Sequence, residues 1–463
     1  MSALEQKVDS GQISDVSLKI SEQMPSAFAA LARKHQVPGA QFAIYHDGVT
    51  ITHEIGELEF GTDLRVTRDA VFPIGSITKF FTATVAMILV ADGDVDLDAP
   101  IRDYVPEMGN LGSMISLRQL LSHTSGLAES SGMEEESGSS LRHYISAHIC
   151  GRDLVQQPGT GFSYSNPGYV VAGRLIETVT GMSWSEAVES ILLRPLGIEP
   201  VFVDPPQTLP PGCRVATGHS VNTAVDRIRP VRQELAPAFA PASALAVSAV
   251  DLVKLGLIHV GPGRPEVLPA AYARQMRRTV PYADPFGLAN GWGPGLAVYW
   301  HQPAEWVGHD GNVNGISCYV RINPADGWVV ALTSNSNTGA DLWQEFQARL
   351  ARVGIPINLA RIPTPGGPRV APPDDCAGQY INGDIQCTVK TSSDGAVYLS
   401  ADGQNFVRLT FYENLTFTFS APDLTSHGKA SIGRFVRDPA TGEIYGIHVS
   451  GRLARRRRRV AGA

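Results

Sequence analysis

The sequence predicts a mixed α/β (α+β) domain over residues 1–355 and a small all-β barrel over residues 374–463. A length of 463 residues exceeds what one ordinary hydrophobic core supports, which favours two domains. The first region mixes strand-like and helix-like segments, whereas the second contains short alternating strands separated by turn sequences. Between them, residues 356–373 contain six prolines and two glycines, a composition typical of a semi-rigid linker.

The first half of the mixed α/β domain begins with a predicted hairpin and continues into a long apolar helix. Residues 39–58 indicate two strands joined by Asp47-Gly48, a dipeptide typical of two-residue hairpin turns. A helix is predicted over residues 76–90, followed by further helices and loops. Residues 129–140, ESSGMEEESGSS, are acidic, small and turn-rich, which predicts a mobile surface loop.

The second half of the mixed α/β domain is predicted to return to strands. Residues 200–241 are rich in proline and lack periodicity, so we expect an irregular segment there. Residues 306–335 indicate strands joined by Gly and Asp turns, and residues 341–353 indicate an amphipathic closing helix. The turns NGD, SSDG, ADGQ and DPATGE then separate the short strands of the predicted barrel.

Charge and hydropathy argue against two function classes. The net charge of −7 does not fit a general nucleic-acid binder, which carries a basic field. The apolar stretch Phe80–Val90 is too short for a bilayer, which takes about 20 residues, and the polar N-terminal segment shows no signal-peptide pattern. We therefore expect a cytoplasmic protein without nucleic-acid or membrane partners.

The cysteines and a run of arginines bear on cofactors and partners. The five cysteines are odd in number and widely spaced, without a CxxC pair, which predicts reduced thiols. No metal-site spacing is visible, so we expect neither a metal nor an organic cofactor. The run Arg455–Arg459 is interpreted as a solvated tail, with a docking patch for an acidic partner, such as an acidic carrier protein, as the alternative.

Ser76 and Lys79 form a Ser-x-x-Lys motif at the head of the predicted apolar helix. Residues i and i+3 share one face of an α-helix, with Cβ atoms about 5–6 Å apart. Apolar surroundings lower the pKa of a lysine, which lets it exchange a proton with a neighbouring hydroxyl. The pair therefore predicts a nucleophilic serine. A second copy, Ser426–Lys429, has a glycine inside it and lies among predicted strands, so we do not expect it to react.

Tyr164 and Asn166 form a Tyr-x-Asn motif at a turn that leads into a helix. A tyrosine beside an ammonium can act as a general base, because the cation favours the phenolate. Asn166 offers an amide that can orient a substrate carbonyl or amide. Two other matches, at 380–382 and 412–414, fall in the predicted barrel, far from a helix nucleophile.

The third motif, His309-Asp310-Gly311, opens a predicted strand. Gly311 lets the backbone approach a substrate closely. The next N–H group, on Asn312, can complete an oxyanion hole with the N–H of Ser76. A similar tripeptide at 46–48 is already accounted for by the predicted hairpin turn.

Taken together, these motifs resemble the penicillin-binding-protein-like serine hydrolases, and most closely the class C β-lactamase branch with its esterases and D-amino-acid peptidases. The matching segments are GSITK at 75–79, LLSHTSGL at 120–127, YSN at 164–166 and GHDG at 308–311. The resemblance covers roughly residues 30–350. It implies a β-lactamase/transpeptidase-like domain with a central antiparallel sheet flanked by helices.

The resemblance also implies a role for each motif residue. Ser76 would be the acylated nucleophile, Lys79 its proton partner and Tyr164 the base. Asn166 would contact the substrate, and His309 stands where many relatives carry the lysine of a Lys-Thr-Gly motif.

Two features qualify this resemblance. His123 of LLSHTSGL looks catalytic, but the resemblance implies a structural role for it. Relatives often have a glycine-rich segment where this chain has PASALAVSAV at 241–250. Because Ser243 and Ala244 replace glycines near the expected rim of the site, the resemblance does not predict the shape of substrate that fits there.

The two-domain plan resembles the penicillin-binding-protein-type thioesterases of natural-product pathways, which join such a domain to a lipocalin-like barrel. That resemblance implies a small-molecule or carrier-bound peptidyl acyl substrate that is passed to Ser76 and released by cyclisation, or an ATP-independent transacylation. Two alternatives stay open. One is a plain esterase, D-peptidase or β-lactamase-type hydrolase, and the other is a sensor or binding module that stays acylated.

Overall fold

In the part of the chain that the computed structural model describes, the two large sheets are antiparallel, one of seven strands and one of nine. The structure describes residues 15–130, 140–203, 213–233, 235–301, 304–357, 368–419 and 431–457. Within them, the α-helices are α1 (Asp15–Lys34), α2 (Thr78–Asp92), α3 (Leu117–Leu121), α4 (Leu141–Tyr144), α5 (Asn166–Thr180), α6 (Trp184–Val188), α7 (Ala240–Ser243), α8 (Ala249–Gly256), α9 (Ala270–Arg277) and α10 (Gly339–Arg352).

The seven-stranded sheet has the order β2-β1-β11-β10-β9-β8-β7, and each neighbouring pair is antiparallel. Two pairs of short strands, β3 with β6 and β4 with β5, form separate ribbons. The strands of this part are β1 (Gly39–His46), β2 (Val49–Gly56), β3 (Phe72–Pro73), β4 (Gly218–Asn222), β5 (Arg227–Val231), β6 (Ala246–Val247), β7 (Gly291–Trp292), β8 (Ala297–His301), β9 (Ala304–Val313), β10 (Ile316–Asn323) and β11 (Trp328–Ser334).

Both faces of the seven-stranded sheet are covered by helices. Because side chains alternate along a strand, Phe42 and Ile44 of β1 pack with α1 and α10, whereas Ala43 joins the core that contains α2, α5 and α8. The active-site motifs lie on the second face, between the sheet and α2.

Helix α2 is the central helix of that second face. All residues from Thr78 to Leu89 are buried, and the helix ends at Gly93 with a left-handed φ of 85°. The helix predicted to begin at Ser76 instead starts as a 3₁₀ turn over Gly75–Ile77 and becomes α-helical at Thr78. Among the described residues, the segment 75–92 has the length and hydropathy of a membrane span, but 78% of it is buried within the protein, as expected of a core helix.

Most predicted elements of the first domain are observed. The hairpin at Asp47-Gly48 is present, with positive φ at both turn residues, as are the strands over 306–335 and the closing helix, which is α10. The prediction of an irregular segment over 200–241 is wrong in part, because residues 218–231 form the β4–β5 hairpin. That hairpin shows little alternation in its sequence because most of β5 is exposed to solvent. Most of the predicted 129–140 loop lies outside the described residues.

The nine-stranded sheet forms the predicted barrel, with the order β15-β14-β13-β12-β20-β19-β18-β17-β16. The two end strands are consecutive in the chain and separated only by Leu409, so the antiparallel sheet is nearly closed on itself. The strands are β12 (Gly378–Asn382), β13 (Ile385–Thr391), β14 (Val397–Ala401), β15 (Val407–Arg408), β16 (Thr410–Phe411), β17 (Thr416–Phe419), β18 (Ser431–Arg437), β19 (Ile444–Val449) and β20 (Arg452–Arg456).

Aromatic side chains fill the barrel interior. The ring centroids of Phe417 and Phe435 are 5.2 Å apart, and those of Phe411 and Phe417 are 5.8 Å apart. Tyr380 packs against Phe435 with its hydroxyl donating to the carbonyl of Cys376 at 2.6 Å. This barrel is therefore a packed core, in which each ring contributes roughly 2–3 kcal/mol of burial free energy.

The described part of the arginine run is ordered, which differs from the expected solvated tail. Arg455 and Arg456 belong to β20 and pair with β12. The guanidinium of Arg456 donates to the carbonyls of Asp375 and Ala377 at 2.8 and 2.6 Å. These arginines follow an alternating strand pattern that a count of charges does not reveal. Residues 458–459 lie outside the described residues, as does the second Ser-x-x-Lys copy.

Candidate active site

Ser76 lies in the 3₁₀ turn that joins β3 to α2, at the edge of the seven-stranded sheet. The turn follows Ile74, whose N–H donates to the carbonyl of Leu245 at 2.9 Å. The Thr78 hydroxyl accepts from the Leu245 N–H at 3.1 Å. These contacts tie the turn to the β6 segment, so the serine sits on a rigid base and is itself only partly buried.

Lys79 is completely buried one turn after Ser76. Its Nζ donates to Ser76 Oγ at 3.2 Å and to the carbonyl of Ala242 at 3.0 Å. Burial lowers the pKa of Lys79 from its usual value to about 7, with Glu129 raising it and Arg452 lowering it to lesser extents. A substantial fraction of Lys79 is therefore neutral near neutral pH, as a proton acceptor for Ser76 must be.

Tyr164 faces the same serine from the opposite side. The Ser76 hydroxyl lies beside its phenol and acts to lower the pKa of that phenol, and Lys79 Nζ lies 5.1 Å from the ring centroid. Desolvation raises the pKa of Tyr164 above its usual value and outweighs the nearby charges, so the resting phenol is protonated. The expectation that a neighbouring cation favours the phenolate is therefore not met, because the ring is only 8% exposed. In this position the protonated phenol of Tyr164 can relay a proton from Ser76 to Lys79.

His123 supports Tyr164 through three contacts and is fully buried. Its ring stacks on that of Tyr164 with centroids 4.2 Å apart. Its Nδ1 accepts from the N–H of Ser165 at 3.1 Å, and its carbonyl accepts from the N–H of Ser163 at 2.9 Å. These contacts hold both neighbours of the tyrosine, in keeping with the structural role implied for His123.

His309 lies on β9, on the face of the sheet that carries the site, and is 2% exposed. Its Nδ1–H donates to the Asp310 carbonyl at 2.7 Å, which leaves Nε2 as the ring acceptor. Burial lowers the pKa of His309 to about 4, with Lys79 lowering it further, so the imidazole is neutral. Trp292 contacts the ring edge-on, with centroids 5.4 Å apart.

Gly311 and Asn312 lie where β9 passes the serine turn. The pairing of β8 with β9 ends at Gly308, so the β9 edge beyond it faces the turn that carries Ser76. A Cβ atom on Gly311 would lie 1.9 Å from the carbonyl oxygen of Ile74, so only glycine allows this approach. The predicted oxyanion hole, formed by the N–H groups of Ser76 and Asn312, requires this close packing of strand and turn.

Asn166 is the first residue of α5, whose N-cap is Ser165. Its Nδ2 donates to Glu129 Oε1 at 3.2 Å. The structure therefore places all seven sequence-predicted site residues in one region: Ser76, Lys79, Tyr164, Asn166, His309, Gly311 and Asn312.

Sequence motifs missed two charged residues beside the site, Glu129 and Arg452. The guanidinium of Arg452 lies 5.0 Å from the centroid of the Tyr164 ring, and its Nε donates to Glu129 Oε2 at 3.1 Å. Arg452 opens β20 of the barrel, immediately after the Ser450-Gly451 turn. No spacing rule connects residues this far apart in the chain; only the docking of the barrel brings them together.

The barrel also bonds directly to the backbone that carries Tyr164. The Tyr164 N–H donates to the Gly451 carbonyl at 2.8 Å, and the N–H of Leu453 donates to Ser163 Oγ at 3.2 Å. Nε2 of His448 donates to the Phe162 carbonyl at 3.2 Å. The β19–β20 hairpin thus forms one wall of the site.

The rim segment that departs from the usual glycines lies behind Lys79. It forms the short helix α7, ending at Ser243, and Ala244 is fully buried. Ala242, just before them, provides the carbonyl that accepts from Lys79. This segment therefore holds the lysine as well as bordering the site.

Comparison with known proteins identifies the family of this chain. The family model described as Beta-lactamase matches residues 24–352, most of the chain. The chain belongs to the beta-lactamase family. It is 34% identical over 370 residues to "Penicillin-binding protein 4" of Amycolatopsis lactamdurans, covering 76% of this chain and 95% of that protein. The family predicted from the motifs is thus confirmed, with penicillin-binding proteins among the relatives.

Solved structures extend the likeness of this beta-lactamase-family chain through the barrel. The crystal structure of SurE superposes with a TM-score of 0.86 at 36% identity, covering 96% of this chain and 100% of that one. A class C β-lactamase from Rhodobacter sphaeroides, at 22% identity and a TM-score of 0.57, shares the fold over 70% of this chain. The predicted fold class is therefore confirmed for both parts of the chain.

Among the described residues of this family member, no cluster of three or more His, Cys, Asp or Glu side chains is arranged to hold a metal ion. The motif residues instead provide a hydroxyl, an amine, a phenol and an imidazole within one region. A hydroxyl beside a proton-accepting amine is the arrangement of an activated serine nucleophile.

Replacing Ser76 by alanine is expected to abolish covalent acylation, because no other hydroxyl contacts both Lys79 and Tyr164 among the described contacts. The measurement is intact-protein mass after incubation with an activated ester. A Ser76→Ala variant that still acquires a stoichiometric adduct would contradict the assignment of the nucleophile.

Acylation is expected to accelerate with pH through the pKa of Lys79, about 7, because only the neutral amine accepts the serine proton. Below that pKa the rate should fall about tenfold per pH unit. The measurement is pre-steady-state release of nitrophenol from a nitrophenyl ester. Lys79→Arg, which stays protonated, should be inactive throughout; a flat profile in the native protein would exclude Lys79 as the base.

Replacing Gly451 by alanine is expected to slow acylation by about tenfold or more, because the added Cβ would lie 2.2 Å from Leu288 Cδ1 and displace the turn that bonds to Tyr164. Gly442→Ala is the matched control: it has a similar φ, 73° against 75°, in another barrel turn with no atom within 4 Å of the added Cβ. Equal rates in the two variants would show that the Gly451 turn does not support the site.

Proposed function

We propose that this protein is a serine acyltransferase. It receives an acyl group on Ser76 from an ester, thioester or amide donor and passes it to an amine. The proposal is supported by the order and proximity of the motif residues and by the likeness to SurE over nearly the whole chain.

In the first step, Ser76 Oγ attacks the acyl carbonyl carbon, and its proton passes through Tyr164 to neutral Lys79. The carbonyl oxygen becomes an oxyanion that the N–H groups of Ser76 and Asn312 stabilise. Collapse of this intermediate breaks the bond to the leaving group, which takes the proton back from Lys79. The product is an ester on Ser76, and Lys79 is again neutral.

In the second step, an amine attacks the Ser76 ester. Its nitrogen loses a proton to Lys79 through Tyr164, the amide bond forms and the ester bond breaks. The proton returns to Ser76 Oγ, which restores the resting site. His309, neutral and with Nε2 as an acceptor, is suited to receive an N–H of the incoming amine.

The main support for this proposal is the position of the β19–β20 hairpin of the barrel, which packs against Tyr164. The Gly451 carbonyl and the Arg452 guanidinium both contact Tyr164, and Lys79 and His309 are 0% and 2% exposed. Ser76 itself is partly exposed, but the hairpin covers the Tyr164 side of its ester. This cover would limit the access of bulk water from that side and favour transfer to a bound amine over hydrolysis.

The substrate class is proposed from the neighbouring structures. SurE has also been solved with D-Leu, at 36% identity to this chain and a TM-score of 0.82. We propose that the acyl donor here is a peptidyl group containing a D-amino acid, released by ring closure onto its own amine or by transacylation. A cytoplasmic natural-product pathway with an acidic carrier protein as donor would fit this chemistry.

A hydrolase is the second candidate, favoured by other relatives. The "Unguisins hydrolase ungD'" of Aspergillus campestris is 26% identical over 320 residues, covering 65% of this chain and 59% of that protein. With the same residues, water would replace the amine in the second step. A sensor that stays acylated is disfavoured by the presence of the full set of Ser76, Lys79, Tyr164 and His309.

Intact-protein mass and product analysis with a short peptidyl thioester carrying a D-residue, with and without added amine, distinguish these functions. We expect a Ser76 adduct that resolves mainly to amide or cyclic product. An adduct that resolves to free acid regardless of amine would establish the hydrolase. An adduct that persists would establish the sensor, and Ser76→Ala is the control for both.

A further inference from the structure

The carboxylate of Glu129 is buried beside the site and fully engaged. Its side chain is only 6% exposed. One oxygen, Oε1, accepts from Asn166 Nδ2 at 3.2 Å and from the N–H of Ser130 at 3.4 Å, and the other accepts from Arg452 Nε at 3.1 Å. A buried carboxylate is tolerated only with such partners, because an unpaired one costs several kcal/mol.

The barrel also holds the backbone of Glu129. Its N–H donates to Asn382 Oδ1 at 2.7 Å, and its carbonyl accepts from the N–H of Asp384 at 3.3 Å and from Arg152 Nη1 at 3.4 Å. Both barrel residues flank the β12–β13 turn. Barrel residues thus hydrogen-bond to both the backbone and the carboxylate of Glu129, although Glu129 belongs to the catalytic domain.

This arrangement determines which end of the Asn166 amide faces Glu129. A carboxylate only accepts hydrogen bonds, so the amide must turn its NH₂ group towards Glu129. The Oδ1 end is left to accept from a donor, such as a substrate N–H. Without Glu129, this constraint on the orientation of the amide would be lost.

We propose that Glu129, held by Arg452 of the barrel, is a positioning residue that orients the side-chain amide of Asn166 for the chemistry at Ser76. This role rests on the acyl-transfer function proposed above, which supplies the reaction that the amide serves. Glu129 itself does not touch the reacting atoms; it acts through Asn166.

The same ion pair places two opposite charges near Lys79. Glu129 raises the pKa of Lys79 and Arg452 lowers it. The other groups that face Lys79 are the hydroxyl of Ser76, the rings of Tyr164 and Tyr169, and the neutral imidazoles of His123 and His309. Loss of the Glu129 charge and loss of the Arg452 charge should therefore shift the pH–rate profile of acylation in opposite directions.

The test measures the pH–rate profile of Ser76 acylation by a nitrophenyl ester in the full chain. Glu129→Gln keeps an acceptor for Asn166 but loses the charge, so we expect a profile shifted to lower pH with a small loss of maximal rate. Glu129→Leu loses both and should also reduce the maximal rate by about tenfold or more. Arg452→Gln should shift the profile to higher pH, and Arg452→Lys should restore it.

The control is Asp284→Asn, which removes a carboxylate from another ion pair across the same interface, that with Arg434 at 2.8 Å. It should leave the profile of the native protein unchanged, and thermal unfolding identifies any variant that does not fold. Equal maximal rates for Glu129→Gln and Glu129→Leu, or profiles of Glu129→Gln and Arg452→Gln that do not move in opposite directions, would overturn the proposal. Failure of Ser76→Ala to abolish acylation would instead overturn the proposed function.

Discussion

The burial of one amine underlies the chemistry of this protein. Lys79 emerges from the head of the most buried helix and has its charge destabilised by the core around it. Two acceptors, Ser76 Oγ and the Ala242 carbonyl, are close enough to hold it in place, yet they do not replace the lost hydration. The hydrophobic packing of α2 is therefore also the reason why this amine is partly neutral near neutral pH.

Much of the fold and most of the site could be predicted from local patterns. The hairpin at Asp47-Gly48 and helix α10 follow from turn chemistry and periodicity, which operate over a few residues. Ser76 and Lys79 are close because a helical turn brings residues three apart together. Tyr164 and His309 could be added because motif order and family resemblance carry information that spacing alone lacks.

The rest depends on contacts between distant segments. The protonation state of Tyr164 could not be predicted, because desolvation by the assembled core outweighs the neighbouring charges. Glu129 sits in an acidic stretch that indicates a surface loop, yet it is buried by the barrel. Arg452 belongs to an arginine-rich stretch that indicates a tail, yet it opens a strand. In each case the result depends on contacts between segments that are distant in the chain, and such contacts leave no local pattern in the sequence.

Because the barrel supplies one wall of the site, the site is completed only when the last strand of the barrel has been made. Leu453 bonds to a serine 290 residues earlier in the chain, and the neighbouring Gly451 carbonyl bonds to the Tyr164 N–H. During synthesis from the N-terminus, the catalytic domain is made long before the strand that completes its wall. We expect the growing polypeptide to be acylated more slowly than the complete protein until β20 is released from the ribosome, a point that acyl labelling of stalled nascent chains would test.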